Sequence, residues 1–168
     1  TIAPDGTLYV ADRTNHKIVK IATDGTLSDF ITGYDTNNMA TDSQGRLYIT
    51  DVTGVTNFAN GVFGKVRRFD TDGVEDTSGG FPITRNAEAT PDFVKMPTGV
   101  SIDGSGNIYV SSIYRLEDQT NPGRSEIIKY NSSGTAVARI AGRGAAGNIG
   151  DIGGASLDAI NVTLQYVR

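Results

Sequence analysis

One short segment recurs three times along this chain, and few folds accept such a repeat. Gly6-Thr7-Leu8-Tyr9-Val10-Ala11-Asp12 returns as Gly45-Arg46-Leu47-Tyr48-Ile49-Thr50-Asp51 and again as Gly106-Asn107-Ile108-Tyr109-Val110-Ser111-Ser112. Each copy is followed by a second alternating run, Lys17-Ile18-Val19-Lys20-Ile21, Lys65-Val66-Arg67-Arg68-Phe69 and Glu126-Ile127-Ile128-Lys129-Tyr130. Each run ends in a four-residue turn closing on glycine, at residues 22–25, 70–73 and 131–134. A further strand follows at 27–32 and 136–141, with 81–84 as the best candidate in the second copy. A short strand and a glycine turn also precede each tyrosine. The repeat is therefore four antiparallel strands joined by hairpins, here called a, b, c and d.

Composition agrees with an all-β chain. Val, Ile and Thr together number 47 against 6 Leu, and branching at Cβ suits a pleated strand better than a helix. Asp outnumbers Glu 15 to 4, and Asp bonds its own backbone in turns whereas Glu favours helices. The 168 residues suit one domain with a real core. No apolar run is long enough for a membrane-spanning helix. Without cysteine there is no disulfide framework and no thiolate chemistry, and one histidine, His16, cannot build a multi-histidine metal site. A formal charge of −4 and a pI near 4.9 argue against a nucleic-acid partner.

The repeats resemble the NHL-repeat β-propellers. Leu8-Tyr9-Val10-Ala11-Asp12 followed by Asn15-His16-Lys17-Ile18 resembles that family's strand–loop–strand signature, and Gly150-Asp151-Ile152-Gly153-Gly154 resembles its inter-blade linker. The second and third repeats lack the Asn-His pair, and Ser112 replaces the strand-end Asp. The resemblance implies three blades, each a four-stranded antiparallel sheet, at about 1–38, 39–98 and 99–168. Three blades do not close a ring, for which four to eight are usual. The expectation is that they form part of a larger propeller, with sister subunits completing one another as the second possibility.

Alternating strands sort the connections onto two faces. The a–b and c–d turns are short, whereas the long b–c segments, 52–64 and 113–125, and the inter-blade links, 79–97 and 142–167, share the other face. Insertions in repeat scaffolds mark the functional side. The candidate binding residues are therefore Asn57, Phe58 and Asn60 in the second blade and Tyr114, Arg115, Asp118 and Arg124 in the third, with aromatic and Arg side chains as anchors.

Other motifs have plainer readings. Gly142-Arg143-Gly144-Ala145-Ala146-Gly147 fits a dinucleotide fingerprint, but the glycine-rich segment after it cannot start the required helix. Asp70-Thr71-Asp72-Gly73 is a hairpin turn and not a calcium loop. Asp12 and Asp51 end their b strands near the propeller axis, where a channel divalent cation such as calcium would sit, yet such residues more often accept N–H groups of the following loop. His16 is a conceivable general base oriented by Asp12, without a nucleophilic partner to make a triad. Asn131-Ser132-Ser133 and Asn161-Val162-Thr163 fit the glycosylation sequon.

The function expected from the sequence is a non-catalytic scaffold that binds protein, glycan or sister subunits through its long-loop face, without cofactor or resident metal. An extracellular or cell-surface setting suits the absence of cysteine and the acidic, Thr- and Asn-rich loops. Two alternatives stand beside it, a metal-dependent propeller hydrolase or lyase resembling the lactonases, and a structural subunit of an extracellular assembly or filament.

Overall fold

The computed structural model describes residues 1–55, 63–84, 96–114 and 124–142. Three antiparallel sheets follow one another along the chain. The first runs β1 (Leu8–Asp12), β2 (Lys17–Ile21) and β3 (Leu27–Thr32), with Ile2 bridged to Leu8 on the outer side of β1. The second runs β4 (Thr36–Thr41), β5 (Leu47–Asp51) and β6 (Lys65–Phe69), extended by single bridges from Phe69 to Glu75 and from Val66 to Ile83. The third runs β7 (Met96–Ile102), β8 (Ile108–Tyr114), β9 (Arg124–Tyr130) and β10 (Ala136–Gly142). Within each sheet the strands pair in chain order, and all are antiparallel. This is the blade arrangement that the repeat predicts, and the Ile83 bridge places the weak fourth strand of the second sheet within 81–84.

The turns that end in glycine share one closure. In each, the first residue donates its N–H to the carbonyl four positions on, and the glycine at the fourth position donates back to the first carbonyl. The six first residues are Ala3, Ala22, Asp42, Asp70, Asp103 and Asn131. The glycine φ values, between 79° and 89°, lie in the left-handed region that side chains avoid. Two side-chain solutions hold this turn. Asp42, Asp70, Asp103 and Asn131 accept N–H groups two and four residues ahead. Where alanine stands first, Asp5 or Asp24 at the third position accepts the Thr7 or Thr26 N–H instead. The second oxygen of Asp42 and of Asp103 also receives the hydroxyl of Tyr48 and of Tyr109, tying turn to repeat tyrosine.

The core lies between sheets. Leu47, Ile49 and Phe69 pack with Tyr9, Ile18 and Ile31 of the first sheet. Tyr48, Val66, Phe81 and Ile83 pack with Ile108, Val110, Ile128 and Tyr130 of the third. β5 is therefore buried along its whole length, because it has a sheet on either side, whereas β1 buries Tyr9 and exposes Leu8 and Val10. Each large apolar side chain so enclosed contributes about 2 kcal/mol. Neighbouring sheets also approach through their first strands, where Asn38 Oδ1 accepts the Val100 N–H at 3.0 Å.

Two outcomes follow for stability. Gly25 has open space around a built Cβ, whereas a Cβ on Gly73 would meet the Phe30 carbonyl oxygen at 2.9 Å. Gly25→Ala should cost about 1 kcal/mol for the backbone alone, and Gly73→Ala more, as read from urea midpoints. Asp103 is held down to about 2, chiefly by the Asn107 side-chain amide, and Asp76 to about 2, chiefly by the Ser78 hydroxyl. Carboxylates depressed in the fold stabilise it above the ordinary carboxylate range and lose that effect as pH falls toward 2. Urea midpoints should therefore drop between pH 4 and pH 2, and drop less in Asp103→Asn, since Asn131 shows that the amide fills the same slot.

Candidate functional site

A connected group of chemistry-bearing side chains lies where the first and second sheets meet on the long-connection side. It begins with the tight loop between β1 and β2. Asp12 accepts the Asn15 N–H at 3.1 Å and the Asn15 side-chain amide at 2.7 Å. That pair of bonds holds the Asp12 carboxyl below its usual range, with the side-chain bond as the main cause. The loop then places His16 at φ 51°, in the left-handed region.

His16 is fixed from both ends. Its carbonyl accepts N–H groups from Gly33 at 2.7 Å and Tyr34 at 3.2 Å, and its Nδ1 lies 2.5 Å from Asp35 Oδ1. The sequence reading paired His16 with Asp12. The structure pairs it with Asp35, because Asn15 already occupies both Asp12 oxygens. Asp35 is held in turn by the second sheet, since its N–H donates to Thr53 Oγ1 at 2.8 Å and its carbonyl accepts the Val52 N–H at 2.7 Å. The imidazole itself stays open to solvent, with its side chain 61% exposed. Among the described residues Nε2 has no hydrogen-bond partner.

Behind this pair runs a charged network. Asp51 Oδ1 accepts the Thr53 N–H at 2.9 Å, and Oδ2 accepts from Arg67 Nε at 2.6 Å. Arg67 also donates to Glu75 at 2.6 Å and stacks over the Tyr34 ring, 4.8 Å from its centroid. The Tyr34 hydroxyl closes the circuit on Glu75 at 3.3 Å. Burial raises the Tyr34 hydroxyl above its usual pKa. Asp51 therefore serves the loop-holding role weighed for it in the sequence. Among the described residues no three His, Asp or Glu side chains converge on a point fit for a metal ion, and both Asp12 and Asp51 are committed elsewhere. The described residues do not fit a channel cation.

The loop residues chosen from the sequence fare differently. Asn57, Phe58, Asn60, Arg115 and Asp118 lie outside the described residues. Tyr114 and Arg124 are backbone partners at the loop end of the β8–β9 hairpin. Asp35 was missed in the sequence because it lies in the link between repeats, where no periodicity marks it.

No family model matches the chain, and no curated protein matches it either. Solved structures do. Virginiamycin B lyase from Staphylococcus aureus, solved with quinupristin as a catalytically inactive histidine-to-alanine variant, is 17% identical with a TM-score of 0.51, covering 82% of this chain and 38% of its own. A gluconolactonase from Xanthomonas campestris is 20% identical with a TM-score of 0.56, covering 82% of this chain and 44% of its own. A streptogramin B lyase is 12% identical with a TM-score of 0.51 over the same 82%. The likeness establishes a β-propeller fold, and the chain spans about two fifths of the length of these structures. All three are named as enzymes. That finding overturns the expected non-catalytic scaffold and favours the hydrolase-or-lyase alternative.

The buried network makes a measurable demand. The Arg67 side chain is 16% exposed and that of Asp51 6%. Arg67→Ala leaves Asp51 buried without its cation and should cost about 3 kcal/mol. Glu75→Gln, at a more exposed carboxylate, should cost less. Paired urea titrations check both.

Proposed function

We propose that this chain contributes its blades to a β-propeller enzyme that cleaves its substrate by hydrolysis or elimination, with His16 as general base. The observation that carries this reading is the His16–Asp35 pair. A carboxylate at Nδ1 selects the tautomer that carries its proton there and leaves the Nε2 lone pair for the substrate side. The likeness of fold to two lyases and a lactonase supports the reading, as does the description of the lyase's histidine-to-alanine variant as catalytically inactive. In the same reading the repeats are of the NHL type, with His16 in its strand–loop–strand signature.

The chemistry needs one proton acceptor with a partner that stabilises its charged form. In hydrolysis, a water oxygen bonds to the carbonyl carbon while its proton passes to Nε2. The leaving oxygen recovers that proton as its bond to carbon breaks. In elimination, Nε2 takes the proton beside the carbonyl, and its electron pair forms the new double bond as the leaving group departs. Asp35 balances the imidazolium in both routes. It does so from a rigid seat, because Thr53 and Val52 hold its backbone and His16 is itself held by the Gly33 and Tyr34 N–H groups.

The test is turnover by the full-length protein of a cyclic-ester panel that includes an aldonolactone and quinupristin. Release of an acid marks hydrolysis, and a new conjugated double bond marks elimination. His16→Ala should lower kcat/KM by about 10²–10⁴-fold, and Asp35→Asn should lower it while leaving the urea midpoint nearly unchanged. Full activity in His16→Ala, or no turnover of any member of the panel by the parent protein, would overturn the assignment.

A further inference from the structure

The sheets use one another's faces in a fixed order. In the third sheet the cross-strand row Ile102, Ile108, Tyr130, Ala136 faces the second sheet. In the second, the row Thr41, Leu47, Phe69, Glu75 faces the first. The corresponding row of the first sheet is Ile2, Leu8, Ile21, Leu27. Leu47 and Ile108 are 0% exposed, whereas Leu8 is 42%, Val10 47%, Ile2 60% and Leu27 68% exposed. An apolar row of that kind, repeated across four strands, is a docking surface and not scattered surface hydrophobicity.

The opposite faces carry a second regular feature. Each repeat tyrosine is paired across strands with a cation, as Tyr9 with Lys20, Tyr48 with Arg68 and Tyr109 with Lys129. Lys20 Nζ donates to the Thr71 carbonyl at 3.4 Å, and Arg68 Nη1 to the Ser132 carbonyl at 2.8 Å. Thr71 and Ser132 are the second residues of turns 70–73 and 131–134, so each cation latches onto the same slot of the next sheet. One donor and one acceptor of this series remain. Lys129 lies over the Tyr109 ring, 5.5 Å from its centroid, and the Thr23 carbonyl occupies the same slot in turn 22–25.

We propose that a second copy of this chain docks its Tyr109–Lys129 face on the Leu8–Val10 face, with Lys129 donating to the Thr23 carbonyl. Both halves of the contact are on the one chain, and each repeats a contact already made twice inside it. Such a head-to-tail contact, made twice, closes a ring when the rotation allows. Two copies carry six sheets, within the range of closed propellers. The proposal does not depend on the enzymatic reading.

The chain should elute with the mass of two copies in size-exclusion chromatography with light scattering. Leu8→Asp with Val10→Asp should return it to the mass of one. Leu27→Asp, at a more exposed position, serves if the double variant does not fold. Because the sequence has no cysteine, Thr23→Cys and Lys129→Cys variants mixed with a short bis-maleimide should cross-link to each other, and neither variant to itself. A single-copy mass for the parent chain, whether the Leu8 face is bare or covered by other residues of its own polypeptide, overturns the proposal. So does an association that survives charges on that face, or equal cross-linking by either cysteine variant alone.

Discussion

Six turns in the described sheets close with the same two backbone hydrogen bonds around a glycine at positive φ, and that closure sets the phase of the strand that follows. Because side chains alternate faces along a strand, a slip of one residue would turn Leu47 and Ile49 toward the third sheet and Tyr48 toward the first. The inter-sheet cores, with aliphatic side chains on one face and a tyrosine on the other, exist only in one register. Asp42 and Asp103 reinforce it by holding both the turn's N–H groups and the tyrosine hydroxyl of the next strand.

The same phase rule positions the charged network. Arg67 and Arg68 are adjacent in β6 and so serve opposite faces. Arg67 joins Asp51 and Glu75 beside Tyr34 at the junction with the first sheet. Arg68 packs 3.9 Å from the Phe81 ring centroid and reaches Asp76 and the third sheet's turn. Two neighbouring cations thus fasten two different interfaces, and each is enclosed by aromatic surface that lowers the local dielectric and strengthens the pairs.

Much of this architecture was legible in the sequence, because the signals are local. The Tyr-centred segments, the alternation of the c strands and the glycine at each fourth turn position are all written within a dozen residues. The fourth strand of the second sheet was fainter, since among the described residues only Glu75 and Ile83 make bridges there and the segment between them holds no run of alternation. The His16–Asp35 pair was not legible. It joins a loop inside a repeat to a link between repeats, and Asn15 supplies a nearer partner for Asp12. The loop residues chosen for binding rested on length and composition alone. Their chemistry depends on neighbours that no repeat fixes.

His16 is the one non-glycine residue at positive φ among the described residues. Histidine tolerates that conformation better than most side chains, at a cost on the order of 1 kcal/mol. The cost is borne by the resting protein, where the Gly33, Tyr34 and Asp35 contacts offset it. An imidazole aimed by its own main chain has little freedom left to lose when something binds in front of it. Orientation is settled during folding, and encounter with a ligand incurs almost none of that entropy.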